Sequence, residues 1–197
     1  MSGVIDMLAS GLGTDAVDAI SQNLGIDKDK ASVAVSGAIP MLVKALARNT
    51  EDEKGAESLF NTLEKKHDGS VLDDIAGYLN NADIQDGGKI LKHVLGGQRG
   101  AVEKGLGSLA GLNASQVGSV LATLAPLVLG ALSRSKGEQS LDAGGLADLL
   151  RSESKTAEKK APDAMGVLGK LLDADGDGSI ADDVADIGMK LLKGFLK

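Results

Sequence analysis

The chain has no cysteine, no tryptophan, one tyrosine, two phenylalanines, three prolines and two histidines. Each scarcity excludes something. Without cysteine there is no disulfide, no thiolate nucleophile and no thiolate-ligated metal, a usage that suits a cytoplasmic protein. With aromatics at 2%, a core has to be made of Leu, Ile, Val, Ala and Met. Few stretches alternate apolar and polar residues with period two, so strands are not expected. Positive charge is also short. The net charge of −7 and pI near 4.8 repel phosphate backbones and argue against nucleic acid as a partner. The first thirteen residues contain Asp6 and no Lys or Arg, unlike the usual secretory leader.

What is present is apolar and small. The 197 residues are 43% hydrophobic and include 27 glycines. That length allows one or two domains, and that composition predicts an all-α protein whose helices pack closely. Two stretches organise it. Residues 111–134 read as one long helix, apolar almost all round, with Pro126 in its middle; residues 25–48 read as the same element with Pro40. Residues 117–133 carry no charge and reach the short limit of a membrane span. The counterpart contains Lys44, and Gly118, Ala122 and Ala125 make one face small. A buried core helix is therefore expected, with no transmembrane span. Proline removes a donor and crowds the preceding turn, so a kink or break is expected near residues 37–40.

Around these, helices are expected over residues 3–12, 14–24 (capped by Thr14), 28–47 (capped by Asp27) and 51–66, the last opened by a capping box at 50–53. A second box at 70–73 starts a helix to about 80. Short helices follow at 89–95 and 101–110. Asn113 and Gln116 form a capping box for the long helix, and Asp142 caps a helix over 142–151. Residues 152–161 are polar without apolar periodicity and read as an exposed linker. A helix from Pro162 to about 172, an Asp-rich loop and a last helix over 180–195 end the chain.

An offset of 86 residues lays Gly25 on Gly111, Asp27 on Asn113, Pro40 on Pro126, Arg48 on Arg134, Phe60 on Leu146 and Leu63 on Leu149. Further on, DGSVLDDIA at 68–76 returns as DGSIADDVA at 177–185, an offset of 109. A duplicated helical unit follows, with the two proline helices side by side at the centre. Its divisions are a first repeat at 1–86, a second at 87–151, the linker at 152–161 and a C-terminal helix–loop–helix at 162–197.

One stretch carries metal chemistry. Asp173, Asp175, Asp177, Gly178 and Ser179 match the start of a calcium loop: alternate carboxylates face inward, glycine allows the turn and the Ser179 carbonyl adds an oxygen. The last ligand position holds Val184, so Asp183, or Asp182 through water, would have to close the site. The competing reading is a capped turn with solvated aspartates, as at 68–73, where Glu64 and Lys66 stand at the matching first and third positions and are not read as ligands. Elsewhere chemistry is thin. His67 and His93 lie near helix ends and read as surface residues, since no nucleophile or ligand is evident beside either.

The segments SGAIPMLVKALA (36–47), LATLAPLVLGALSR (121–134), GGLADLL (144–150) and the Asp-rich end at 171–197 resemble the bacterial domain-of-unknown-function family 937. The resemblance implies a bacterial helical protein and brings no activity and no catalytic residues. The expectation is a non-enzymatic interaction or scaffold module with a protein partner or a second copy of itself. The alternative is a module binding Ca²⁺ through residues 173–183. A hydrolase using Asp182 and Asp183 ranks last, because adjacent acids at a helix start make a poor acid/base pair. The basic amphipathic end at 187–197 is expected to dock on the core, with weak contact to an anionic bilayer as the lesser alternative.

Overall fold

The computed structural model describes residues 3–166. Among these residues there is no strand, and nine α-helices are described from end to end: α1 Val4–Gly11, α2 Thr14–Leu24, α3 Lys28–Asn49, α4 Glu53–Lys66, α5 Ile75–Asn80, α6 Ile84–Leu95, α7 Arg99–Ala110, α8 Ala114–Gln139 and α9 Ala143–Lys160. Short 3₁₀ turns at Ser70–Leu72 and Gly96–Gln98 precede α5 and α7. The fold is all-α.

The proline helices α3 and α8 pack on each other. The remaining helices wrap them: α6 and α1 lie on α8, α7 lies on both, and α9 lies along α3 while touching α4. Both α3 and α8 are long and apolar enough to cross a membrane by length and composition, yet most of each apolar stretch is buried inside the protein. A helix that is apolar all round has to be covered on all sides. Here neighbouring helices do the covering, and one continuous core runs from Val4 to Met165.

The two helices begin alike. Each follows a glycine in the left-handed region, Gly25 at φ 61° and Gly111 at φ 64°, a conformation that costs glycine little. Asp27 accepts hydrogen bonds from the N–H groups of Asp29 and Lys30. Asn113 and Gln116 form the expected reciprocal capping box. Counted from the caps, the prolines fall at the same position. Beyond them the helices differ: α3 has 22 residues and α8 has 26. The extra turn changes the correspondence downstream. Asp52 and Asp142, the caps of α4 and α9, accept from Gly55 and Gly145 respectively. Those pairs are 90 residues apart, so Ala56 matches Leu146 rather than Phe60 matching it.

Several expectations are corrected. Of the kink or break expected near residues 37–40, the break does not occur; α3 and α8 are continuous across Pro40 and Pro126. Thr14 is the first residue of α2 and makes no cap bond. Thr50 ends α3 instead of starting α4, its hydroxyl donating to the Ala47 carbonyl at 2.9 Å. Residues 70–72 form a 3₁₀ turn, and Asp74 caps α5. The expected boundary at 86/87 falls inside α6, whose true cap is Asp83.

The expected linker is the largest correction. Residues 152–160 continue α9, because their polar groups have partners. Glu153, only 6% exposed, accepts the Ile5 N–H at 3.0 Å and so caps α1 from a distant part of the chain. Glu158 accepts from Lys44 at 2.9 Å, Lys160 pairs with Asp6, and Ala157 is buried. Residues 162–166 are again helical, with Ala164 and Met165 buried. The Asp-rich loop and the basic C-terminal segment lie outside the described residues.

Candidate functional site

A groove of about 1090 Å³ runs between α4 and α6. Its floor is apolar: Leu46 from α3, Val94 from α6 and Leu129 from α8 are buried, with Leu59 and Ile90 partly so. The rim is charged and of mixed sign. Arg48, Lys66 and Lys89 supply cations, while Glu51, Asp52 and Asp86 supply carboxylates. Lys89 and Asp86 face each other at 3.7 Å across one turn of α6. At one end Asn49 donates to the Val94 carbonyl at 2.8 Å, tying the end of α3 to the end of α6.

Both histidines of the chain line this groove. His67 terminates α4 and is half-buried; burial holds its imidazole below the usual histidine range, with Asp86 pulling the other way. His93 is exposed in the last turn of α6. Sequence reasoning placed each at a helix end but had no means of bringing the two ends together. That juxtaposition is set by the packing of α6 on α8 and of α4 against it. Of the hydroxyl groups present, Thr62 donates to the Ser58 carbonyl in its own helix. Among the described residues, no three His, Asp or Glu side chains converge in a way that could hold a metal ion. The arrangement is suited to holding a surface of both charges over an apolar floor.

Of the residues singled out as calcium ligands, Asp173, Asp175, Asp177, Ser179, Asp182 and Asp183 all lie outside the described residues. Their counterpart turn at 68–73 is visible. Asp68 accepts from the Ser70 N–H at 2.9 Å and from its hydroxyl at 2.6 Å, and that hydroxyl holds the Asp68 carboxyl below its ordinary range. Arg134 clasps the turn by donating to the Gly69 carbonyl at 3.1 Å and pairing with Asp73. At 68–73 the motif is a structural turn seated on α8.

No curated protein and no solved structure matches the chain. Over residues 6–136, from α1 into the last turn of α8, it matches the family described as "Bacterial protein of unknown function (DUF937)", and it belongs to that family.

Proposed function

We propose that the protein is a non-enzymatic interaction module that self-associates through the groove between α4 and α6. The observation that carries this reading is the groove itself: an apolar floor with a rim of both signs. A two-fold interface sets a patch against its own copy, so the patch has to complement itself. Arg48, Lys66 and Lys89 alternating with Glu51 and Asp86 satisfy that requirement, whereas a rim of one sign would repel its copy. The apolar floor supplies the area to be dried, and the polar edge supplies register. Sedimentation velocity over a wide concentration range tests this. The expected result is a concentration-dependent dimer, lost in Leu59→Asp and in Ile90→Asp with helical circular dichroism unchanged. A monomer at every concentration overturns it.

A second reading rests on the residue pattern at 173–183. There Asp173, Asp175 and Asp177, the Ser179 carbonyl and a closing Asp183, or Asp182 through water, would hold Ca²⁺. Calorimetric titration of metal-stripped protein should give one saturable site that is lost in Asp175→Ala and Asp177→Ala. Absence of heat, with no change in melting temperature, removes this reading.

A further inference from the structure

Counting from their caps, Ser32, Val33 and Ser36 of α3 stand where Gly118, Ser119 and Ala122 stand in α8. The α8 residues are covered: Gly118 and Ala122 are buried and Ser119 is half-buried. The α3 residues are all exposed, Val33 at 46%. The cover on α8 has two sources. Glu103 of α7, held at 2.6 Å by Arg99, closes over Gly118. The segment from Tyr78 to Gly87 closes over the next turn. The Tyr78 hydroxyl donates to the Thr123 carbonyl at 2.9 Å, and Gly87 approaches so closely that a Cβ there would sit 2.0 Å from the Ala122 carbonyl oxygen. That carbonyl is the one Pro126 leaves without a helical donor, four residues upstream. Pro40 does the same to the carbonyl of Ser36.

On α3 the matching face borders an apolar groove of about 470 Å³ between α1, α2 and α3, with Ile5, Leu12, Val17, Val35 and Ile39 in its lining. Ser36 and Pro40 line it too. We propose that the occupant of this groove is the chain's own C-terminal segment, residues 187–197, covering α3 as the segment 78–87 covers α8.

Four observations lead there. The motif at 68–76 returns at 177–185, and the same offset carries Tyr78 onto Ile187 and the covering stretch onto the C-terminal residues. Second, the chain leaves the described body at the groove: Lys160 and Ala161 line it, and Ala164 lies 3.5 Å from where Gly37 would carry a Cβ. Residues 167–186 span up to about 65 Å when extended, far more than the return requires, and such a tether keeps the segment at a local concentration on the order of millimolar. Third, Met189, Leu192 and Phe195 recur at helical spacing and match an apolar groove. Fourth, Asp29 stands in the lining beside Lys28, with Asp15 and Asp18 near enough to act on that lysine, so carboxylates at this edge are within reach of Lys190, Lys193 and Lys197 on a docked segment.

Because the chain has no cysteine, Ser36→Cys gives a single reporter thiol on the groove. Its rate of reaction with a maleimide dye is measured in the full chain, alone and combined with Leu192→Asp. Docking predicts slow labelling that becomes about tenfold faster with Leu192→Asp, since the thiol then reacts without waiting for local opening. Equal rates overturn the proposal. In a second arm, Ser36→Cys with Leu192→Cys is oxidised at low protein concentration. An intramolecular disulfide supports docking, while cross-links formed only between molecules assign the groove to a second copy and overturn it. Ser32→Cys replaces Ser36→Cys if the latter lowers the melting temperature.

Discussion

The helices α3 and α8 start from the same caps, carry proline at the same position and share one core, yet their outer faces differ. At the positions where α8 has Gly118 and Ala122, α3 has Ser32 and Ser36, with Asp29 one turn earlier. The α8 face is small because the Glu103 side chain and the Gly87 backbone press on it. The α3 face is polar enough to meet water at its edge and apolar enough, at Val33 and in the groove beside it, to receive a covering segment. One helix geometry thus serves two burial states, and small side chains mark where a neighbour comes closest.

The strongest way to break this comparison is to remove matched apolar side chains beneath the two covers. Leu91 of α6 is fully buried; its counterpart by the 86-residue offset is Ile5 of α1, which borders the groove. Leu91→Ala should cost about 2–5 kcal/mol, because the surrounding structure cannot collapse into the cavity. Ile5→Ala should cost less, since its cavity can open into the groove. Chemical denaturation measures both, and equal losses would show that the two covers are equally tight. Next comes Gly87→Ala. Its new methyl group would meet the Ala122 backbone, and overpacking of that kind costs about 1–3 kcal/mol. On the other helix, Ser36→Ala should change stability by less than about 0.5 kcal/mol, as surface replacements usually do.

Glu153 sharpens the same contrast from the α3 side, since α9 is the long helix laid along α3. Glu153→Ala leaves the N–H of Ile5 without its acceptor and should cost about 1–2 kcal/mol in thermal or denaturant unfolding. Glu153→Gln retains an acceptor and loses only the charge at the start of α1, a smaller effect of about 0.3–1 kcal/mol. If both replacements cost the same, the charge rather than the hydrogen bond anchors α1.

These residues also show what was legible in the sequence. The helix class, the central proline helices and the caps at Asp27, Asn113 and Asp142 were readable, because caps and apolar periodicity are local signals. The end of α9 was not. Residues 152–160 look like a linker until Glu153, Glu158 and Lys160 meet α1 and Lys44, and those partners are more than a hundred residues away. The start of α6 was missed for a related reason. Gly87 and Gly88 weaken a helix locally, but Gly87 is the residue that lets α6 reach α8. Pro40 leaves α3 unbroken because it forfeits its bond to Ser36 at the exposed edge of the helix, where water can satisfy the carbonyl. The groove between α4 and α6 was legible only as two unconnected histidines.

The effect expected at Tyr78 is modest but the cleanest to observe, because the chain has one tyrosine and no tryptophan. Burial pushes the Tyr78 phenol up to about 12 from an ordinary value of 10.0. In the unfolded chain the phenol ionises near the ordinary value. The associated stability is therefore fully present below about pH 10 and is lost as pH rises towards 12, where only the unfolded chain releases its proton. Difference ultraviolet spectroscopy should show phenolate appearing well above the ordinary range in the native protein and within it in denaturant. Tyr78→Phe should cost about 1 kcal/mol at neutral pH through the lost bond to Thr123, and it should flatten the alkaline stability profile. A native titration at the ordinary value would mean that the segment 78–87 lifts off α8 readily. The cover on α8 would then be no firmer than the open groove on α3, and the contrast between the two helices would lie in their side chains alone.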